Sequence, residues 1–220
     1  MPEPNPHLLD LTRWPRREAH AHFRGYQHPW FSVCVRVDAA PLKRALEGRR
    51  GLLSLACHWA ALKAMQPVEA FRLRFHGERG VQRIEQLHAG TTVARPDESF
   101  AFATLPWDER FDAFARLGRE ALDAARDGLP PPTPEPDPLS QVHCTTLPWL
   151  HFTSFTHARD RGLGSDNPKL AFGQWREEGG HLWMPLSVDV HHALVDGLHV
   201  GRFVAGFEAL LREPQAWLRP

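Results

Sequence analysis

Two hydrophobic patterns meet near the end of the chain. From residue 186 to residue 190 every second position is apolar, which is typical of a half-buried strand. Beyond Gly197 the apolar residues recur at helical spacing. The sequence therefore predicts a strand followed by a helix, with His191, His192 and Asp196 at the junction between them. An imidazole at such a junction is held on both sides by regular structure, as a general base requires.

The rest of the chain shows strand-like and helix-like segments. Clusters of β-branched and aromatic residues, bounded by turn residues, predict strands at 30–37, 71–75, 82–88, 91–95 and 99–105. Alternating side chains predict a further strand within 147–158. Apolar residues predict helices at 52–65, which is apolar nearly all round, and at 108–127. A short helix at 41–48 is predicted from its ends, with Asp38 before it, Pro41 near its start and Gly48 at its end. Only turn residues separate the four strands between 71 and 105, so we expect them to form an antiparallel meander.

A proline-rich segment at 128–138 interrupts this pattern. Proline excludes a helix or a central strand there, so we expect a surface loop inside one domain that covers residues 1–220. The predicted fold class is α/β, a single-domain, two-layer sandwich in which helices cover a large, mostly antiparallel sheet.

The amino-acid composition argues against several classes of protein. The formal net charge of zero does not favour binding to nucleic acid or to an anionic membrane. Three cysteines without a CxxC pair argue against a disulfide framework or a zinc site and favour a reducing compartment. The sequence shows no signal peptide and no apolar run of transmembrane length, so we expect a cytoplasmic protein.

The histidine pair allows two interpretations from its residues alone. His192 is a candidate general base, and the alternative is a pair of structural histidines with satisfied hydrogen bonds. The 14 histidines of the chain are scattered. Adjacent residues of an extended backbone point to opposite sides, so His191 and His192 are poorly placed to share a metal ion, and we expect no metal site.

The stretch MPLSVDVHHALVDGLHV resembles the signature of the chloramphenicol acetyltransferase family, HHAxxDGxHV after a PLS strand. The resemblance implies a fold of that family and acetyl-CoA as the acyl donor, with no metal. It further implies that His192 removes a proton from the hydroxyl of a small-molecule acceptor, which then attacks the acetyl group directly. The family forms homotrimers with active sites at subunit interfaces, so the same assembly is expected here.

Two further motifs assign residues through this resemblance. The family pattern W-x-R-R-E is present at residues 14–18 and implies a buried ion pair between Arg16 and Asp196. Asp196 is then expected to be a structural brace rather than the partner of His192. The family pattern LPWxxFxSF is complete at residues 147–155, and it implies that Ser154 donates a hydrogen bond to the oxyanion.

Other positions are assigned to the substrates by the same resemblance. Trp175 is expected to stack near the coenzyme adenine, whereas Gln174 replaces a lysine that contacts the coenzyme phosphates. Ala171 replaces a threonine that holds a water molecule at the reacting centre, and Pro29 and Trp30 alter the pocket mouth. Aromatic residues of the acceptor pocket are expected at Phe23, Phe31 and Phe100, for which core packing is the alternative.

Three functions remain open at this point. The resemblance favours O-acetylation of chloramphenicol. A second possible function is the same acetyl transfer to another hydroxyl or to a thiol such as that of dihydrolipoamide. A third is a trimeric binding protein without catalytic activity.

Overall fold

Five helices and nine strands make up the part of the chain that the computed structural model describes, residues 7–49, 51–77, 80–159 and 165–218. The helices are α1 (Arg17–Arg24), α2 (Ala40–Ala45), α3 (Leu52–Met65), α4 (Phe111–Asp127) and α5 (Gly197–Arg212). The strands are β1 (Trp30–Asp38), β2 (Leu73–His76), β3 (Gly80–Arg83), β4 (His88–Ala94), β5 (Phe100–Leu105), β6 (Gln141–Leu147), β7 (Lys169–Gly173), β8 (Arg176–Glu178) and β9 (His181–His191).

The long strand β9 organises the main sheet. The order of strands is β1-β9-β7-β6-β4-β5, and β8 also pairs with β9. The β4–β6 and β6–β7 pairs are parallel and the other pairs are antiparallel. The predicted class, a mixed α/β domain with a large and mostly antiparallel sheet, is therefore confirmed.

The two faces of β9 have different roles. Even-numbered residues from Met184 to Val190 belong to the hydrophobic core, together with Phe203 and Phe207 of α5. Helix α3 contacts α4, α5 and β4, which explains why its sequence is apolar nearly all round. Odd-numbered residues of β9 point to the other face, because successive side chains of a strand alternate. We call this second face of the sheet the open face.

The predicted four-stranded meander is wrong. Strands β2 and β3 form a separate two-stranded sheet, whereas β4 and β5 pair at the edge of the main sheet. The outer edge of β3 is occupied by the N-terminal residues, because Leu9 donates to the Val81 carbonyl and Arg83 donates to the His7 carbonyl. Strand β4 is thus free to pair with β6 instead.

The predicted strand at 147–158 is also wrong. Strand β6 ends at Leu147, and an irregular segment follows. Pro148 lacks the N–H that a sheet ladder needs, and Leu150 N–H closes a turn onto the Leu147 carbonyl. The Ser187 hydroxyl, on the open face, donates to the Phe155 carbonyl at 2.9 Å. We call residues 150–159 the covering segment, because they pack on the open face. The proline-rich segment at 128–138 is irregular and mostly exposed from residue 129 to residue 137, and a short 3-10 helix begins at Pro138.

Candidate active site

The junction between β9 and α5 is a tightly bonded turn. The carbonyl of His191 accepts hydrogen bonds from the backbone N–H groups of Leu194 and Val195, at 2.9 and 3.0 Å. Asp196 then caps α5, with its own N–H bonded to the His199 ring at 2.9 Å. These bonds fix the backbone on both sides of His192.

His191 is a structural residue with a buried ring. Only 8% of the surface of His191 is exposed, and its ring packs edge-on against Phe75, with ring centroids 4.7 Å apart. Burial lowers the pKa of His191 to about 4, with smaller effects from nearby cationic groups, including Arg24. The neutral ring accepts a hydrogen bond at Nδ1 from the Ala193 N–H, at 3.2 Å.

His192 points the other way and is partly accessible, with 32% of its side chain exposed. Phe23 stacks on its ring at a centroid distance of 3.7 Å, and Phe31 lies 4.7 Å away. Nδ1 lies 3.3 Å from the Val195 carbonyl and 3.2 Å from Asp196 Oδ1. These acceptors place the proton on Nδ1, so Nε2 carries the lone pair that a general base needs.

Arg16 connects α1 to this turn. Its guanidinium donates to both carboxylate oxygens of Asp196, from Nε at 2.8 Å and from Nη2 at 2.6 Å. It also donates to the backbone carbonyls of His192 and Leu194. Asp196 therefore contacts both Arg16 and the His192 ring, whereas the sequence suggested that it serves Arg16 rather than His192.

The remaining sequence-predicted hydroxyl and pocket positions lie elsewhere. Ala171 is buried in β7, directly opposite Ser187 of β9 and Thr145 of β6 on the open face. Ser154 is exposed in the covering segment. Thr145 was missed by the sequence analysis, although its two-residue spacing from His143 places both side chains on one face.

A pocket of about 340 Å³ lies beside Trp175. Gln174 and Trp175 line it on one side and Leu53 and Cys57 of α3 on the other. Burial raises the pKa of the Cys57 thiol to about 12, so this cysteine is chemically inert at neutral pH.

Phe100 is not part of the His192 cluster within one chain. It lies on β5, at the edge of the sheet, and 59% of the residue is exposed. Ala171 is opposite Ser187, five residues before His192, which corresponds to about 16 Å along a strand. Within one chain, the His192 cluster is thus separated from Ala171 and Ser187.

Comparison with known proteins decides the family. A sequence model of the family described as chloramphenicol acetyltransferase matches residues 5–208. This chain belongs to that family. Members of the family carry out acetyl-CoA-dependent acetylation. A chloramphenicol acetyltransferase of Streptomyces acrimycini is 31% identical over 221 residues, covering 99% of both chains. The family predicted from the HHALVDGLHV motif is therefore confirmed.

Solved structures extend the comparison to the fold. A chloramphenicol acetyltransferase structure superposes with a TM-score of 0.81 at 24% identity, covering 92% of this chain and 98% of the other. A truncated catalytic core of the 2-oxoacid dehydrogenase complex from Thermoplasma acidophilum gives 0.69 at 16% identity, covering 91% and 95%. At these identities the likeness shows the shared fold alone.

The described residues contain neither a metal-binding cluster nor a membrane-spanning helix. Within the described ranges, no group of three or more histidine, cysteine or acidic residues is arranged to hold a metal ion. Among the helices described, none is long and apolar enough to cross a membrane.

Proposed function

We propose that this protein is an acetyl-CoA-dependent O-acetyltransferase that acts on chloramphenicol, with His192 as the general base. The observation that carries the proposal is the His192 ring itself. Its Nδ1 is engaged by Val195 and Asp196, Phe23 stacks on its face, and Nε2 is left for a substrate. The similarity to named chloramphenicol acetyltransferases along almost the full chain supports the choice of acceptor.

The proposed reaction is a direct transfer. His192 Nε2 takes the proton of the acceptor hydroxyl, and the hydroxyl oxygen attacks the carbonyl carbon of acetyl-CoA. The tetrahedral intermediate collapses by breaking the carbon–sulfur bond, and the departing CoA thiolate receives the proton from the imidazolium. The products are the acetyl ester and CoA, and no acyl-enzyme forms.

A hydroxyl group is proposed to stabilise the oxyanion of the intermediate. Ser154 is assigned to this role by the family motif, and Thr145 is a second hydroxyl, opposite Ala171 on the open face. Removal of the donor should lower kcat by about 10²- to 10³-fold. Comparing Ser154→Ala with Thr145→Val identifies the donor, because only one of the two variants should show a loss of this size.

The coenzyme is proposed to bind beside Trp175. This side chain and α3 line the same apolar pocket, which suits an adenine ring stacked on the indole. Trp175→Ala should raise the KM for acetyl-CoA roughly tenfold, since base stacking contributes about 1–3 kcal/mol. An unchanged KM for acetyl-CoA would show that the adenine does not stack on Trp175.

The active sites are proposed to lie between subunits of a homotrimer. In one chain, His192 and the Ala171–Ser187 positions are about 16 Å apart along the strand direction. Phe100 and Phe102 expose 59% and 77% of their surface on the edge strand β5, an apolar patch of the kind that a second copy covers. Light scattering should give the mass of three 25.0 kDa chains.

Co-expression tests whether sites are shared. Subunits with His192→Ala should be mixed with subunits in which the oxyanion donor is removed. Mixed trimers should recover part of the activity if each site combines residues from two chains, whereas activity no higher than that of either variant alone would place each site within one chain.

The experiment that tests the function is a CoA thiol-release assay with acetyl-CoA. Thiol release that requires chloramphenicol, and that His192→Ala abolishes, supports the proposal. If the CoA thiol is released only with another alcohol or with dihydrolipoamide, the acceptor is that compound and not chloramphenicol. The absence of release with every acceptor would favour a non-catalytic binding protein.

A further inference from the structure

A buried carboxylate lies on the open face of the sheet, where the reaction scheme above does not use it. Asp189 of β9 is fully buried. Its Oδ2 accepts two hydrogen bonds from His157 of the covering segment, one from the backbone N–H and one from Nδ1, both at 2.8 Å. Asp189 Oδ1 and His157 Nε2 are also buried, and neither has a hydrogen-bond partner among the residues described.

Two unpaired polar atoms at this depth are expensive for folding. A buried charge without full hydrogen bonding destabilises the folded protein, because it has lost its hydration without gaining a replacement. Burial by itself raises the pKa of Asp189, but the hydrogen bonds from His157 and the nearby Ser32 hydroxyl, which makes no bond of normal geometry to Oδ1, outweigh that effect and lower the pKa. Asp189 is thus an ionised group whose second oxygen lacks a hydrogen bond of normal geometry. A ligand would supply the missing partner.

The pair borders the proposed reacting centre. Asp189 is directly opposite Lys169 of β7, and Ala171 follows Lys169 by two residues on the same face of the sheet. Two residues along a strand correspond to about 7 Å. His157 and Ser154 belong to the same covering segment. A small acceptor bound on the open face at Ala171 would thus have its second functional group within one ligand length of the Asp189–His157 pair.

The charged residues around Asp189 restrict the chemical nature of the acceptor's second functional group. Arg159 donates to the Ser32 hydroxyl at 3.4 Å, and its guanidinium lies 5.2 Å from the centre of the Trp30 ring. The Lys169 ammonium lies 6.0 Å from the same ring. Both cations lie at Trp30, two residues along β1 from the partner of Asp189, and they oppose a cationic ligand there.

The unpaired atoms also define the direction of the hydrogen bond. Asp189 Oδ1, a carboxylate oxygen, can only accept, and it therefore sets the direction of the missing bond. His157 Nε2 is also an acceptor when the single ring proton is the one that Nδ1 donates to Asp189. The matching partner is a neutral hydrogen-bond donor.

We propose that Asp189 and His157 form a second contact for the acyl acceptor. In this subsite the acceptor donates a hydrogen bond from a neutral hydroxyl or amide N–H other than the hydroxyl that is acetylated. Asp189 holds the His157 ring in one tautomer, and the pair selects acceptors that carry two polar groups. This inference rests on the proposed acetyltransferase function.

The first test compares acceptors. Steady-state kinetics would be measured with chloramphenicol and with two analogues, one lacking its non-acetylated hydroxyl and one with a methylated amide nitrogen. For the wild type we expect kcat/KM to fall about tenfold with one analogue, the effect of about 1.4 kcal/mol. The His157→Leu variant should have a kcat/KM for chloramphenicol that is lower by a similar factor. It should acetylate chloramphenicol and the analogue that is poor for the wild type with equal kcat/KM.

A matched control is available at the other end of β9. His181 is also bonded to a carboxylate, Asp38 Oδ2 at 2.7 Å, but it is exposed. His181→Leu should keep the wild-type preference between acceptors. If His157→Leu keeps that preference as well, the pair does not contact the acceptor and the inference is overturned.

A crystal structure of the assembled wild-type protein is the second test, and it does not depend on chloramphenicol turnover or on the folding of a variant. A cavity that reaches Asp189 Oδ1 and His157 Nε2 and also contains a neighbouring copy's His192 supports the inference. A protein donor on these atoms, or an enclosed water molecule with no access to that cavity, overturns it. If the wild type acetylates none of the compounds, the proposed acceptor fails while the crystal structure still decides this inference.

Discussion

Arg16 and Asp196 lie 180 positions apart in the sequence, yet two hydrogen bonds of 2.8 and 2.6 Å join their side chains. The same guanidinium bonds to the carbonyls of His192 and Leu194. A residue at the start of α1 thus sets the shape of the turn that carries His192. Stability and catalysis should therefore depend on the same contact.

The ion pair leads to the first prediction. Arg16→Ala should lower the free energy of unfolding by about 2 kcal/mol, because it removes charged hydrogen bonds to Asp196 and to two carbonyls. For a chain of this size that corresponds to a fall in Tm of roughly 4–8 °C. Arg17→Ala is a matched control, since the Arg17 side chain is 56% exposed and should change Tm little. Equal effects of the two substitutions would contradict the prediction.

The carboxylate side of the pair can be tested separately. Asp196→Asn keeps the size of the side chain but removes its charge, which leaves the mostly buried guanidinium of Arg16 partly unpaired. We expect a lower Tm together with a lower kcat, measured by thermal melting and by steady-state kinetics. A variant with wild-type Tm would show that the charge of Asp196 is not needed to hold the turn.

The two adjacent histidines should respond differently to substitution. His192→Ala should lower kcat by roughly 10²- to 10⁴-fold with little change in Tm, because the side chain is partly exposed and acts as the base. His191→Ala should mainly lower Tm, since it leaves a cavity beside Phe75. Kinetics and melting curves for both variants check this. A fully active His192→Ala enzyme would exclude His192 as the base.

Stability should decrease as the pH falls from 6.5 towards 4. Burial, as the main cause, lowers the pKa of His143 and of His191 from 6.5 to about 4. In this range the unfolded chain binds protons that the folded chain excludes, so protonation favours unfolding. The loss is on the order of 3 kcal/mol for each histidine by pH 4, at about 1.4 kcal/mol per pKa unit. His143→Gln should flatten the dependence of Tm on pH, and a slope equal to that of the wild type would rule out this cause.

A single substitution tests the missing hydroxyl at the reacting centre. Ala171→Thr places a hydroxyl on the open face opposite Thr145 and Ser187, where it can hold a water molecule. We expect kcat/KM for chloramphenicol to rise by up to about tenfold, the effect of one hydrogen bond gained in the transition state. Ala171→Val has the same shape without the hydroxyl and should bring no gain. If both variants lose activity and melt earlier, the buried site has no room for the larger side chain.

Local patterns were sufficient for the elements around His192. The apolar residues of β9 and α5 face one continuous hydrophobic core. Their spacing along the sequence therefore shows directly which side chains are buried. The all-apolar composition of α3 reports contacts on several sides for the same reason. The opposite orientations of His191 and His192 follow from the geometry of an extended backbone. The family motif added the partner of Asp196, which spacing alone does not reveal.

Tertiary structure decided the features that depend on competition between distant segments. The alternating residues after Leu147 imitate a strand, but Pro148 starts a turn and the segment packs across the open face instead. Strand β3 pairs with residues 7–9, and no local signal distinguishes that partner from β4. The Asp189–His157 contact joins residues 32 positions apart, and its unpaired atoms are visible only once the surrounding chain is packed. Hydrophobic periodicity determines which side of an element is buried, whereas the partner it meets there depends on the packing of the whole chain.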